Sequence, residues 1–199
     1  MTAPRLILAS GSVIRRRLLA NAGYVFEVLP ADIEEPLLED LPPAELAAAL
    51  ALAKARHVFA AHPGAVVVGS DQVLVMPDGT VAGKPWDRAA ARDQLRALAG
   101  RTQTLISAAA IVGDHGEDVV ASVVTLTMRP LNAGQLEEVL DWNEWEGNAG
   151  SFAYELRGVH LFDDVDGAMF TIQGLPLLEL IPVLGARGVG PLASRMSAR

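Results

Sequence analysis

Residues 6–19 read LILASGSVIRRRLL, and this stretch sets the start of the fold. Its apolar first residues predict a short strand, the Ser-Gly-Ser that follows predicts a tight loop, and the remainder predicts a helix. Arg15, Arg16 and Arg17 crowd the first turn of that helix, where the helix dipole disfavours cations. A bound anion would offset this cost, because free backbone N–H groups, hydroxyls and guanidinium groups together suit a polyphosphate. The alternative is a solvated basic helix edge.

Strand and helix patterns alternate along the rest of the chain, which predicts an α/β fold with a mixed sheet and two lobes around a cleft. Apolar and β-branched runs predict strands over residues 24–29, 65–69, 73–76, 80–82, 102–112, 119–129 and 159–162. Capping signals and apolar periodicity predict helices over residues 42–61, 87–99, 132–145 and 175–186. The tail from Gly188 is predicted to be frayed.

Composition narrows the possible functions. The chain has 199 residues and a net charge of −8, which argues against binding duplex nucleic acid, although a few converging cations can still bind a small anion. It contains no cysteine, so disulfides, thiolate catalysis and Cys-based zinc sites are excluded. No apolar run is long enough to span a bilayer, and the N-terminus lacks a signal-peptide core. These features predict a cytoplasmic protein that does not bind membranes.

Asp71 and Lys54 are candidates for chemistry. Asp71 follows the buried run Val66-Val67-Val68-Gly69-Ser70, and in α/β sheets ligands collect at strand ends, where a carboxylate can bind metal or activate water. A turn-forming aspartate is the alternative. Lys54 falls on the apolar stripe of its helix, with Leu50 and Val58 at intervals of four. It either extends to solvent or reaches an anionic partner.

Other charged residues give weaker signals. Lys84, in Gly83-Lys84-Pro85, lies in an extended segment and on its own reads as a surface lysine. Glu35, in an acidic loop, could complete a Mg²⁺ site with Asp71, or the loop could simply be solvated. The acidic cluster 163–166 predicts a turn at the end of a strand, with a metal site as the alternative. Fingerprints of P-loop, dinucleotide-binding and serine-hydrolase sites are absent from the sequence.

Taken together, these segments resemble the Maf family of nucleotide pyrophosphatases. The matching pieces run in order over almost the whole chain: residues 6–19, the Glu35 loop, Lys54, and residues 69–73, 83–85, 100–102, 128–131, 149–152 and 174–177. The resemblance implies a Maf/ITPase-like fold, with a mixed twisted sheet, flanking helices and two lobes around a central cleft. It further implies a domain over residues 1–187, a flexible tail over residues 188–199, and a homodimer.

The resemblance also implies a reaction and its residues. The family hydrolyses nucleoside triphosphates to a monophosphate and pyrophosphate with a divalent cation, for which Mg²⁺ or Mn²⁺ is expected. Asp71 would be the catalytic acid-base and, with Glu35, a metal ligand. The residues that would hold the triphosphate are Ser10, Arg15, Arg16, Lys54 and Lys84.

Base preference follows from finer motifs. Residues 69–72 and 149–155 resemble the branch that acts on 7-methyl-GTP. The carboxylate of Glu155 suits the paired N–H donors of guanine, and Gln72 could assist. Ile14 occupies a specificity position and departs from the relatives, so dTTP and UTP remain the alternative substrates. A nucleotide-binding regulator of cell division that does not cut its ligand is a second alternative.

Overall fold

The computed structural model describes residues 4–33 and 41–192. Its strands are β1 (Leu6–Leu8), β2 (Glu27–Val28), β3 (Val66–Val75), β4 (Val81–Ala82), β5 (Thr102–Gly113), β6 (Gly116–Met128) and β7 (Phe162–Asp166). Its α-helices are α1 (Val13–Asn21), α2 (Pro43–Ala61), α3 (Arg88–Leu98), α4 (Ala133–Asp141), α5 (Met169–Ile172) and α6 (Leu177–Ala186). A 3₁₀ turn over Arg157–Leu161 precedes β7.

The strands form one seven-stranded mixed sheet in the order β2-β1-β3-β5-β6-β7, with β4 paired to β3. β1 runs parallel to both β2 and β3, whereas the β3–β4 and β6–β7 pairs are antiparallel. Val66, Val67 and Val68 of β3 are buried, as expected for a parallel strand that is covered on both faces. The predicted mixed α/β fold is confirmed.

The chain divides into two compact units. The first unit comprises Met1–Gln72, Ser107–Ser122 and Gln173–Arg199, and the second comprises Val73–Ile106 and Val123–Ile172. The cleft between two lobes that the resemblance implies stays a prediction.

In the first unit, α2 lies directly against β3 because small residues face each other. Ala47, Ala51 and Ala55 are fully buried along one side of the helix. A Cβ added at Gly69 of β3 would come within 2.2 Å of the Ala51 carbonyl oxygen and 2.7 Å of the Ala55 backbone nitrogen. Glycine is therefore the residue type that allows the helix backbone to approach the strand this closely.

In the second unit, α3 and α4 bury leucines in a shared core that also includes Leu126 of β6. The predicted start of α4 is confirmed: Asn132 Oδ1 accepts from the Gln135 N–H, and the Gln135 side chain accepts from the Asn132 N–H. The predicted end at residue 145 is wrong, since α4 ends at Asp141 and Asn143 adopts a left-handed φ of 57°. Helical backbone cannot continue through that conformation.

The strand predicted over residues 159–162 lies later in the chain. Residues 157–161 form the 3₁₀ turn, and the acidic cluster predicted as a turn belongs to β7, paired with β6. The carboxylate of Asp163 remains 55% exposed, and its neighbour Asp164 is exposed too. Because β7 is an edge strand, these charges remain solvated and discourage pairing with another chain.

The beginning of the predicted tail packs against the first unit. Val189 is buried, and its N–H donates to Leu184 O at 2.9 Å. The remaining tail, residues 193–199, lies outside the described residues. The helices within residues 4–33 and 41–192 lack the length and hydropathy that a membrane span would need.

Glu137 of α4 is held by two arginines of α3. Arg92 Nε and Nη2 donate to its carboxylate at 2.6 and 2.9 Å, and Arg88 Nη2 donates at 3.1 Å. The hydrogen bonds from Arg92 and then Arg88 lower the pKa of Glu137 from its ordinary 4.5 to about 2. Because the folded-state pKa is the lower one, these contacts stabilise the fold above pH 4.5 and lose that effect as the pH falls towards 2.

Glu137→Gln is therefore expected to lower the Tm at neutral pH, with a gap to the wild type that narrows as the pH falls below about 4.5. Thermal melts of both proteins over this pH range measure the gap. The neighbouring exposed residue provides the control variant Glu138→Gln, which should match the wild type throughout. A gap that stays constant over the range would show that Glu137 does not act through its charge.

Candidate active site

Asp71 lies inside β3 and not beyond its end. The sequence places it just past the buried run, but the strand continues to Val75, so that expectation is wrong. A polar segment can remain in the buried strand because the polar side chains next to Asp71 form hydrogen bonds. Ser70 is fully buried, with its Oγ 2.8 Å from Ala108 O and 3.0 Å from Gly174 O.

The carboxylate of Asp71 pairs with Lys54 of α2. Side chains of alternate strand residues share a face, so Asp71 lies on the same face as Gly69, against which α2 packs. Lys54 Nζ donates to Asp71 Oδ1 at 2.6 Å, with 16% and 14% of the two side chains exposed. The lysine on the apolar stripe thus reaches an anionic partner, and that partner is the candidate catalytic residue.

Arg15 binds the edge of β3 where β1 ends. The Ala9 N–H donates to Val68 O as the last bond of the β1–β3 ladder. Alternate carbonyls point to the same neighbouring strand, so Ser70 O faces the space beyond β1. Arg15 Nη1 donates to this oxygen at 2.8 Å. The guanidinium therefore binds a carbonyl of β3 that β1 is too short to reach.

Two further bonds fix the Arg15 guanidinium. Its Nε donates to Gly174 O at 2.7 Å, and its Nη1 also donates to Ser10 Oγ at 3.4 Å. Burial lowers the pKa of Arg15, and the negative charge of Asp71 opposes that shift. An arginine pKa lies so far above neutrality that the group keeps its charge. The Arg15 guanidinium is thus a fixed cation that interacts electrostatically with Asp71.

The loop after β1 is ordered by its own hydroxyls. The buried Ser10 Oγ accepts from the Ser12 N–H at 3.3 Å, and Ser12 caps α1 by accepting from the Arg15 N–H at 3.3 Å. Gly174 takes a left-handed φ of 87°, and a Cβ there would lie 3.3 Å from Arg15 Nε and Nη2. Gly174 acts in this site through its backbone carbonyl. The residue type gives no signal of that role, so the sequence analysis names Gly174 only within the 174–177 motif.

Gln72 points to the face of β3 opposite Asp71. Its Nε2 donates to Ser107 Oγ at 3.0 Å, and Ser107 is fully buried on β5. Its Oε1 lies 3.5 Å from the position of a Cβ on Gly174. Gln72 therefore belongs to the polar frame that holds Gly174 and Arg15.

Two further candidates of the first unit, Ile14 and Arg16, lie on α1. Arg16 is exposed on α1 and lines an open groove with Arg17, Tyr24 and Phe26. Ile14 is half-buried on the same helix. Glu35 lies outside the described residues.

The second unit carries Lys84 and Glu155. Lys84 is exposed in the segment between β4 and α3, beside the buried Pro85. Glu155 is half-buried in a turn that is closed by the Leu156 N–H donating to Ala153 O at 3.1 Å. Ala153 is itself buried, as is Phe152, whose ring packs edge-on against Phe162 at 4.9 Å between centroids. The backbone around Glu155 is thus anchored to the core.

The family model described as Maf-like protein matches residues 5–187, which is nearly the whole chain. The chain belongs to the Maf family. The match spans both units and includes every candidate site residue, so the resemblance inferred from the motifs is confirmed.

Curated relatives of this Maf protein share about two-fifths of its residues. A nucleoside triphosphate pyrophosphatase of Nitrobacter hamburgensis is 43% identical over 192 residues, covering 92% of this chain and 94% of the relative. A dTTP/UTP pyrophosphatase of Moorella thermoacetica is 40% identical, with 93% and 96% covered. A 7-methyl-GTP pyrophosphatase of Mesorhizobium japonicum is also 40% identical, with 92% and 96% covered. Overall identity therefore does not distinguish the two base preferences.

A hard divalent cation would take a protein oxygen at this site from the Asp71 carboxylate, whose Oδ1 already accepts from Lys54. Within residues 4–33 and 41–192, no group of three or more His, Asp or Glu side chains comes together. A dedicated protein cage is thus not present in that part of the Maf domain. Mg²⁺ needs none, because it is commonly held by one or two carboxylates, waters and substrate phosphates.

Proposed function

We propose that this Maf protein hydrolyses the α–β phosphoanhydride of a nucleoside triphosphate, releasing a monophosphate and pyrophosphate. The observation that carries the proposal is the Asp71–Lys54 pair at 2.6 Å, next to Ser70, whose carbonyl oxygen binds the Arg15 guanidinium. The curated relatives support it, since each is named a pyrophosphatase of this class and is therefore a hydrolase. The net charge of −8, which argues against binding duplex nucleic acid, is compatible with a small anionic substrate held by a few converging cations.

In the proposed reaction, Asp71 acts as the general base. Its carboxylate accepts a proton from a water molecule whose oxygen forms a new bond to phosphorus. The bond from phosphorus to the bridging oxygen breaks, and pyrophosphate leaves with the electron pair. Lys54 holds one carboxylate oxygen in place, which orients the group towards the water.

Cationic side chains would bind the triphosphate and the leaving pyrophosphate. Within the described residues, the three side-chain bonds of Arg15 use Nε and Nη1, so its Nη2 is the part of the fork assigned to phosphate. Ser10 and Arg16 on the same loop and helix, together with Lys54 and Lys84, complete the assigned set. Fixed positive charge of this kind stabilises the negative charge that develops on the leaving group.

Asp71 and Glu35 would hold a Mg²⁺ or Mn²⁺ ion together with the substrate phosphates. When bound, such an ion withdraws charge from phosphate oxygens. Both residues supply the oxygen ligands that these ions prefer.

Within this activity, 7-methyl-GTP is the proposed substrate, with Glu155, Gln72 and Ile14 assigned to base recognition. The Glu155 carboxylate can accept from the N1–H and the exocyclic amine of a guanine. A glutamine there would offer one acceptor and one donor, which matches a uracil or thymine edge.

The substitution Glu155→Gln is therefore expected to shift the substrate preference towards dTTP and UTP. For the wild type, kcat/KM should be higher for 7-methyl-GTP than for dTTP or UTP, and the variant should lower that ratio by about 10-fold or more. Pyrophosphate release from this panel in the presence of Mg²⁺ measures both proteins.

The nearby exposed glutamate provides the control variant Glu146→Gln, which should keep the wild-type order. A wild type that prefers dTTP or UTP would contradict 7-methyl-GTP as the substrate and support the pyrimidine triphosphates instead. An unchanged kcat/KM ratio in Glu155→Gln would remove Glu155 from base recognition.

A further inference from the structure

Gln94 of α3 joins two loops of the second unit through opposite ends of one amide. Its Nε2 donates to Gly83 O at 2.7 Å, and its Oε1 accepts from Ser151 Oγ at 2.7 Å. The carbonyl of Gly83 can only accept, so the amide nitrogen must face it, and the oxygen is left for the Ser151 hydroxyl. Neither a carboxylate nor an apolar side chain can make both bonds.

The first loop carries Lys84. It is anchored on one side by Gly83 O and on the other by Asp87, whose Oδ1 accepts from the Ala90 N–H at 2.7 Å to cap α3. Between these anchors Pro85 is buried, while Lys84 is exposed. The bond from Gln94 therefore holds the peptide group that leads directly into Lys84.

The second loop leads to Glu155. Ser151 is buried and has a left-handed φ of 64°, immediately after Gly150 at 82°. A non-glycine residue in that conformation is strained and persists only where its surroundings hold it. The bonds that hold it are the hydroxyl bond to Gln94 and the bond from its N–H to Asn148 O at 3.1 Å. Ser151 thus begins the segment that continues through the buried Phe152 and Ala153 to Glu155.

We propose that Gln94 is a positioning residue that sets the place of the triphosphate-binding Lys84 and of the base-recognising Glu155 through a single side chain. The proposal rests on the proposed function for the roles of those two residues. Gln94 has no part in substrate binding or in the reaction as proposed, and acts through the two loops that it joins. Its two bonds can be broken one at a time, and each break should affect a different part of the substrate.

Gln94→Glu keeps the acceptor for Ser151 and removes the donor to Gly83. We expect the Kd for tripolyphosphate, a probe without a base, to rise about 10-fold, with kcat for 7-methyl-GTP changed less than about 3-fold. Ser151→Gly removes the hydroxyl and suits the left-handed φ. It should leave the tripolyphosphate Kd unchanged and lower the kcat/KM ratio of 7-methyl-GTP to dTTP about 5-fold or more.

The measurements are calorimetric titration with tripolyphosphate and steady-state kinetics, with a thermal melt for every variant. Arg96→Gln, on the exposed side of α3, changes the charge by the same amount as Gln94→Glu and should match the wild type in both measurements. Ser151→Ala is the second variant should Ser151→Gly melt early.

Two outcomes overturn the proposal. One is a Gln94→Glu protein that keeps the wild-type Kd for tripolyphosphate, or a Ser151→Gly protein that keeps the wild-type substrate ratio. The other is a lower kcat and a lower Tm in both variants, with no selective change of the tripolyphosphate Kd in Gln94→Glu or of the substrate ratio in Ser151→Gly. That result would show that Gln94 has only a structural role. Failure of the proposed function is distinguishable, since a wild type that releases no pyrophosphate can still bind tripolyphosphate and show the effect of Gln94→Glu.

Discussion

Asp71→Asn should lower kcat for pyrophosphate release by about 10²–10⁴-fold, because asparagine has nearly the same shape but cannot accept the proton from water. Binding should persist, since the residues assigned to the triphosphate are unchanged. Pyrophosphate release under saturating 7-methyl-GTP gives kcat, and calorimetric titration with tripolyphosphate gives the Kd.

Asp118→Asn is the matched control, because Asp118 pairs with Arg187 at 2.6 Å and has no assigned part in the reaction. It should keep the wild-type kcat. An Asp71→Asn protein that is folded and retains more than about a tenth of the wild-type kcat would contradict the role of Asp71 as general base.

Gly69→Ala is expected to destabilise the fold and reduce activity together. The added Cβ would lie 2.2 Å from the Ala51 carbonyl oxygen and 2.7 Å from the Ala55 backbone nitrogen, so helix backbone must move away from β3. Overpacking of this kind costs about 1–3 kcal/mol, and more where the obstacle is backbone. Lys54 moves with that helix, so its bond to Asp71 lengthens and kcat falls.

Gly134→Ala controls for the change of residue type. A Cβ at that helical position would lie 3.4 Å from Asn132 Oδ1, an ordinary contact, and should leave stability unchanged or slightly raised. Urea unfolding of each protein gives the free energy of unfolding. A Gly69→Ala protein with wild-type stability would show that α2 can shift without cost, and it would contradict the close approach of α2 to β3.

The sequence predicted the individual residues of the site better than the contacts between them. Lys54 lies on an apolar stripe, which predicted either a path to solvent or an anionic partner, and Asp71 follows a buried run, so each was found by a local pattern. That the two meet depends on α2 packing over Gly69, a contact between distant segments that no local pattern encodes. The same is true of Arg15, whose Nε bond goes to a carbonyl 159 residues away.

The errors in the predicted elements have the same origin. Strand β3 continues through Ser70, Asp71 and Gln72 because buried partners on other segments satisfy the Ser70 and Gln72 side chains and Lys54 satisfies Asp71. The apolar pattern alone indicated an end at residue 69. Helix α4 ends before the predicted boundary because Asn143 turns left-handed, which the aromatic residues around it do not indicate.

Identification of the products most directly tests the claim that this Maf protein is a pyrophosphatase. The wild-type protein would be incubated with 7-methyl-GTP and Mg²⁺, and the products would be separated by anion exchange and quantified over time. We expect monophosphate and pyrophosphate in equal amounts, with no diphosphate at any time. Diphosphate and inorganic phosphate as the first products would place the cleavage at the β–γ bond and contradict it.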